Sequence, residues 1–391
     1  MKNLWVTLLL SAIMTPLLSV QGKSRARELG IPFEGDPGPL NAITDVSGVE
    51  VGHTTLISGS GKLEVGRGPV RTGVTAVLPR GKDSNDPVFA GWFPLNGNGE
   101  MTGTTWVEES GFLEGPILIT NTHSVGIVRD AAIAWQVQHR RFFQPWMLPV
   151  VAETYDGHLN DVNGFHVKEQ HVFQALDGAR SGPVTEGNVG GGTGMVCYGF
   201  KGGIGTASRK VESAGGQYML GVLVQSNFGR RSQLTIAGVP VGRELQEGIP
   251  YADLPGPGNL KVGDAGSIIV VVATDAPLLP HQLKRVARRV SLGIARTGGL
   301  AMNGSGDIFI AFSNANPEVA RADKITAVSM IPNDALNALF YATAQATEEA
   351  IINALVAAET MIGVDDHRVE ALPHESLRDI MRRFGRLSGQ R

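Results

Sequence analysis

The 391-residue sequence predicts a layered domain of mixed α/β or α+β class. Three observations carry this reading. Short β-type runs bounded by Gly, Pro or Asn are interleaved with helical periodicity along the chain. Hydrophobic residues make up 42% and charged residues 18%, enough apolar material for a sizeable core in one large or two moderate domains. The 51 glycines are scattered between the apolar runs without a collagen period, which points to tight turns and close backbone approaches.

The elements follow in order. Lys2, a mostly apolar stretch over 4–20 and the small-residue site Val20-Gln21-Gly22 have the sequence of a secretory signal. The run is too short, and too broken by Thr7, Ser11, Thr15 and Pro16, to span a membrane. Residues 1–22 are therefore expected to be removed and the chain exported, to a periplasm or out of the cell. Residues 23–40, with Pro32, Pro37 and Pro39, are expected to form an extended arm. Strands are expected at 49–51, 74–78 and 117–120. Asn121 and Thr122 read as caps of a helix running through Ala131 toward His139. A further strand is expected at 218–224. Residues 244–266, with Pro250, Pro255, Pro257 and Gly263, read as a loop before the apolar strand 268–273. A helix is expected over 277–297, with Pro280 near its start and Gly298-Gly299 as its stop. Another strand, 308–312, precedes a long Ala- and Leu-rich helix from Asn333 or Asp334 to about Glu359. The tail with Arg378, Arg382, Arg383 and Arg386 reads as a solvated helix face.

Several function classes drop out. A formal net charge of −3 provides no basic field for nucleic acid. The single cysteine, Cys197, allows neither an intrachain disulfide nor a four-cysteine zinc site. No serine carries the Gly-x-Ser-x-Gly spacing, and the nine glycines of 187–205 contain no Gly-x-Gly-x-x-Gly. His158, His166 and His171 are neighbours in sequence only and read as ordinary loop histidines. No metal and no cofactor is expected.

The segment Gly263-Asp264-Ala265-Gly266-Ser267-Ile268 runs from a glycine-bearing loop directly into a buried-type strand. By itself this is a common way to begin a strand. It also suits self-cleavage, in which glycine lets the backbone bend so that the serine hydroxyl attacks the preceding carbonyl. A serine freed in this way carries an α-amine of reference pKa about 7.7–8.0, able to act as base for its own hydroxyl. The residues alone leave both readings open.

A wider set of motifs bears on the choice. Arg25-Ala26-Arg27-Glu28-Leu29-Gly30-Ile31-Pro32-Phe33, then Asn41 to Val46 and Val51-Gly52-His53, open the chain. Glu153-Thr154-Tyr155-Asp156-Gly157, Gly190 to Met195, Gln225-Ser226-Asn227-Phe228-Gly229, Gly266-Ser267-Ile268 and Asn303-Gly304-Ser305-Gly306-Asp307 follow. In this order they resemble the DmpA/BapA family, peptidase family S58, which contains L-aminopeptidase D-esterase/amidases and β-peptidyl aminopeptidases. The resemblance runs from about residue 25 to the proline at 373.

The resemblance implies a four-layered αββα sandwich, similar in layering to N-terminal-nucleophile hydrolases but connected differently. It implies one domain, 23–391, that cuts itself between Gly266 and Ser267 into chains 23–266 and 267–391. Ser267 would be the nucleophile, with Ser305 and Asp307 as its supporting pair. Some relatives carry Glu where this chain has Asp307. Asn227 matches the oxyanion-site asparagine, and Glu153 and Tyr155 match the substrate pocket, where a carboxylate suits the ammonium of a peptide's first residue. The implied substrates are short peptides, or aminoacyl amides and esters, of L-, D-alanyl or β-aminoacyl type. The implied assembly is a homotetramer of cleaved units. Two alternatives stand beside this: an acyltransferase of the ornithine acetyltransferase type, which uses threonine and works in the cytosol, and an uncleaved binding protein of the same fold.

Overall fold

A computed structural model describes residues 23–250, 266–321, 323 and 325–387. The signal expected at 1–22, most of the loop expected at 244–266 and the last four residues of the tail lie outside the described residues. The first part of the chain forms β1 (Glu50–Ser58), β2 (Val70–Leu78), β3 (Val88–Gly97), α1 (Thr104–Ser110), β4 (Phe112–Leu113) and β5 (Ile117–Asn121). Next come α2 (Val125–Gln138), β6 (Val150–Thr154), α3 (Glu169–Asp177) and the small hairpin β7 (Val196–Cys197) and β8 (Phe200–Lys201). Then come β9 (Gly203–Ser213), β10 (Gly216–Asn227), α4 (Val241–Glu244), β11 (Ser267–Thr274), α5 (Pro280–Arg296) and β12 (Gly306–Ser313). The chain closes with α6 (Asn337–Val356), β13 (Met361–Ile362), β14 (Arg368–Val369) and α7 (His374–Arg383).

Two sheets stack face to face. One has four strands in the order β1-β2-β5-β6, the other six in the order β4-β3-β12-β11-β10-β9. The alternation of side chains along each strand separates three layers of core. On β11, Ile268, Val270 and Val272 pack with Leu283, Val286 and Val290 of α5 and Ile351 of α6. Its alternate residues Ile269, Val271 and Ala273 pack with Ile117 and Ile119 of β5 and Val150 of β6, between the sheets. The outer face of the four-stranded sheet, through Val74, Ala76 and Leu118, packs on Val128 and Ala132 of α2 and Val172 of α3. The order is helices, sheet, sheet, helices. A strand covered on both faces has to be apolar throughout, which explains the unbroken run that follows Ser267. Each such Ile or Val is worth about 1.5–3 kcal/mol relative to exposure.

The expected elements are present with longer strands. α5 starts at Pro280, three residues later than expected, and α6 is preceded by a short 3-10 turn, Asn333–Ala335. On α7 the apolar Leu377, Ile380 and Met381 are buried. Two expectations are corrected. Residues 23–40 are not a simple extended arm: the Glu28 and Leu29 N–H groups bond back to Arg25 in a turn, and Ala26 and Ile31 are buried. The cause is electrostatic. Arg27 reaches the buried Glu349, which also pairs with the buried Arg209, at 2.7 Å, and Arg25 reaches the buried Glu186 at 2.8 Å, so the segment adds counter-charge to two interior carboxylates. Asn121 and Thr122 do not cap α2, whose N-cap is Ser124 without a side-chain bond. Finally β3, β6, β9 and α3 escaped the sequence reading.

Candidate active site

One end of the sandwich gathers the ends of six strands. β11 and β12 run parallel and both begin there, while the antiparallel β10 and β3 end there; Ser267 pairs with Asn227 of β10 and Gly306 of β12, which in turn pairs with Gly97 of β3. The parallel pair β5 and β6 ends at Asn121 and Thr154 on the facing sheet. Ser267 is the first residue of β11 and is 5% exposed. By the two-residue period it shares the face of Ile269 and Val271, toward the other sheet.

The peptide before Ser267 is tightly set. The Gly266 carbonyl accepts the Gly306 N–H at 3.1 Å. A β-carbon on Gly266 would lie 2.7 Å from the Asn227 carbonyl oxygen and 2.8 Å from Phe228 Cα, closer than real side chains come. Only glycine allows the chain to pass there.

Asp307 lies on the neighbouring strand β12 and Ser305 just before it. The Ser305 hydroxyl donates to Asp307 Oδ1 at 2.7 Å, and both residues are buried. Burial pushes the Asp307 carboxyl up to about 6, against the opposing pull of the Ser305 hydroxyl and the Ile268 N–H. The loop that carries Ser305 is fastened by β3 and the residue just beyond it. Asn96 donates to the carbonyls of Ala301 and Met302 at 3.1 and 2.5 Å, and Asn98 to that of Gly304 at 2.8 Å.

Asn227 is held at both ends of its amide. Its Oδ1 accepts the Val196 N–H at 2.8 Å, and its Nδ2 donates to the Tyr155 carbonyl at 2.9 Å. An amide nitrogen carries two hydrogens, and among the described residues the second has no acceptor. An oriented donor with one hydrogen in reserve is what a developing oxyanion requires.

Glu153 and Tyr155 sit at the end of β6. Glu153 is buried; its carboxylate accepts the Thr122 hydroxyl and the Glu100 N–H, the latter at 3.1 Å. Burial raises its pKa despite those two bonds. Among the described residues no lysine or arginine forms an ion pair with it, so it can receive a cation from outside. Tyr155 meets Asn227 through its carbonyl, and its ring is half exposed.

The structure thus brings Ser267, Asn227, Ser305 and Asp307 together by strand register, with Glu153 and Tyr155 on the facing sheet. It adds residues the sequence reading missed. Asn96 and Asn98 lie on the unassigned β3 and its exit. Asn121 and Thr122, read as helix caps, instead bond Thr72 Oγ1 at 2.7 Å and Glu153. The signal was present as a polar pair ending an apolar strand. Among the described residues no three His, Cys, Asp or Glu side chains are grouped as a metal site needs, and no helix is long and apolar enough to cross a membrane.

Known proteins resemble the chain over nearly its whole length. The profile of Peptidase family S58 matches residues 41–369. The chain is 58% identical over 372 residues to the beta-peptidyl aminopeptidase BapA of Sphingosinicella microcystinivorans, covering 93% of each. It is 50% identical to BapA of Sphingosinicella xenopeptidilytica, covering 93% of this chain and 92% of that one. Among solved structures it is similar to the L-aminopeptidase D-Ala-esterase/amidase of Ochrobactrum anthropi, described as a prototype of serine aminopeptidases and a variant of the Ntn-hydrolase fold. That likeness has a TM-score of 0.86 and 50% identity and covers 93% of this chain and 99% of the other. The chain belongs to peptidase family S58 and is a hydrolase of the serine aminopeptidase type.

Proposed function

We propose that the chain cuts itself between Gly266 and Ser267 and then works as an aminopeptidase with Ser267 as its N-terminal nucleophile. One observation carries the reading: Ser267 opens a buried strand directly after a glycine whose carbonyl already accepts a hydrogen bond from Gly306. In self-cleavage the Ser267 hydroxyl attacks the Gly266 carbonyl carbon, and the Gly306 N–H stabilises the charge on its oxygen. The carbon–nitrogen bond breaks as the hydroxyl proton passes to the nitrogen. Water then hydrolyses the ester, leaving a carboxylate on Gly266 and a free amine on Ser267.

In turnover that amine takes the proton from its own hydroxyl, and the oxygen attacks the substrate carbonyl. The unused Asn227 hydrogen receives the oxyanion. The proton moves to the leaving amine, and water releases the acyl group. Ser305, with its own proton donated to Asp307, offers its oxygen to the ammonium formed on Ser267. Glu153 pairs with the ammonium of the substrate's first residue, which restricts the enzyme to chain ends.

The substrates are short peptides or aminoacyl amides and esters. The names of the two BapA relatives, beta-peptidyl aminopeptidases, support β-aminoacyl groups, and that of the Ochrobactrum relative, an L-aminopeptidase D-Ala-esterase/amidase, supports L-aminoacyl and D-alanyl ones. The reading includes export after removal of residues 1–22 and a homotetramer of cleaved units. A panel of L-, D- and β-aminoacyl amides tests the substrate class. Release from the β-aminoacyl amides at least about tenfold faster in kcat/KM supports it, and turnover of none of the panel would sink it.

A further inference from the structure

A buried cation stands two hydrogen bonds behind Asn227. Lys201, on β8, has no exposed surface. Among the described residues its ammonium is held by three carbonyl oxygens, those of Met195 at 2.7 Å, Gly202 at 2.9 Å and Gly192 at 3.4 Å, and by no carboxylate. A buried ammonium with no carboxylate in contact is costly, and a methionine would fill the same space without that cost. Burial, aided by the Lys23 charge, pushes this ammonium down to about 7 against the opposing pull of Cys197 and Asp156.

The Met195 contact shows what the charge does. The Met195 carbonyl belongs to the same peptide unit as the Val196 N–H, and that N–H donates to Asn227 Oδ1 at 2.8 Å. The Gly202 N–H donates to the same carbonyl at 2.9 Å, so the peptide is fixed from both sides. Lys201, the Met195–Val196 peptide and the Asn227 amide therefore form one chain of hydrogen bonds, each donor pointing toward the site. In such a chain every bond polarises the next. A cation on the peptide oxygen makes its N–H more positive. That N–H draws charge from Oδ1, and the Nδ2 hydrogens become stronger donors.

We infer that Lys201 is a positioning residue for hydrolysis, orienting and polarising the Asn227 amide through the Met195–Val196 peptide. The inference rests on Asn227 receiving the oxyanion, as proposed above. It is tested by a double-mutant cycle of Lys201→Met and Asn227→Ala, measured with a β-aminoacyl anilide. The kcat is taken per cleaved enzyme, with the cleaved fraction read from intact mass.

Lys201→Met is expected to lower kcat about 10- to 100-fold, less than the ~10²- to 10³-fold of a direct oxyanion donor. KM is expected to stay within about threefold, because the interaction is made in the transition state. In the Asn227→Ala background the same change is expected to alter kcat less than about threefold. Lys201→Gln keeps a donor without the charge and is expected to fall between wild type and Met. Losses that multiply across the cycle would overturn the inference, as would a loss confined to KM. If both Lys201 variants lack a folding transition, the residue is structural and the inference is wrong. Full kcat in Asn227→Ala would instead refute the reading of Asn227 itself, whereas a slow Asn227→Ala with multiplying losses refutes only the role of Lys201.

Discussion

The two ends of the sandwich are made from the same strands and are built differently. At the end where β11 and β12 begin, polar side chains are buried and committed: Ser305 to Asp307, Asn227 to Val196 and Tyr155, Glu153 to Thr122. At the opposite end, where β2 finishes and β3 begins, the charged groups pair at the surface. Arg141 meets Asp83 at 2.8 Å with the aspartate side chain 86% exposed. The middles of β11 and β12 between the two are apolar throughout. The contrast shows that the core specifies the fold, while the strand ends around Ser267 take on the cost of burying a cluster of polar groups. Such a cost is recovered only if a substrate completes the arrangement.

The comparison can be broken most severely at Ser267. Ser267→Ala is expected to leave one uncut chain and to lower hydrolysis by more than about 10⁴-fold, the scale of losing a nucleophile; electrophoresis and an amide assay check it. A cut or active variant would remove the nucleophile assignment.

Next in size is Gly266→Ala. The added methyl collides with Asn227 and Phe228 backbone atoms and shifts the scissile carbonyl. Self-cleavage is expected to slow at least about 100-fold, the usual effect of misplacing reacting atoms by an ångström. Cleavage at the normal rate in a time course would show that the close approach is irrelevant.

Asp307→Asn sharpens the contrast because two effects have opposite signs. Burial holds the Asp307 carboxyl at about 6, above its ordinary value, so the native state binds its proton more tightly than the unfolded chain. This group's contribution to stability is present below about pH 4 and is lost as pH rises to about 6. At pH 7 the neutral asparagine should therefore be more stable by about 1–3 kcal/mol, read as a higher Tm. Activity should fall about 100-fold in the same protein. For the wild type, kcat/KM should decline as pH drops below about 6 and the carboxylate is protonated. A variant of unchanged Tm and unchanged rate would make Asp307 an ordinary strand residue.

The smallest effect belongs to the other end. Asp83→Asn removes an exposed ion pair and is expected to change stability by less than about 1 kcal/mol and kcat not measurably. A larger loss of kcat would mean that the two ends are coupled.

The sequence revealed the parts of the fold that carry a strong period or an unbroken apolar run. β11 was legible because both of its faces are covered, and α5 because its buried stripe Leu283, Val286, Val290 and Ile294 recurs at helical spacing between Pro280 and Gly298. β9 was not, since Gly203, Gly205, Ser208, Arg209 and Lys210 give it a polar, glycine-bearing composition that only pairing with β10 makes a strand. The docking of residues 23–40 was hidden for another reason: the carboxylates that attract Arg25 and Arg27 lie more than a hundred residues away. At the site, Ser267, Asn227, Ser305, Asp307, Glu153 and Tyr155 were picked out through ordered motifs. Their union depends on three strands of one sheet and one of the other, which no local pattern displays. Thr122 and Lys201 were missed because their partners are a distant carboxylate and backbone carbonyls.

The central claim is that the chain becomes active by making Ser267 an N-terminus. The intact masses of the purified, denatured protein test it directly. The account predicts two chains that meet between Gly266 and Ser267, the first of them beginning near Lys23. A single chain containing an unbroken Gly266–Ser267 bond, in a preparation that hydrolyses aminoacyl amides, would contradict it.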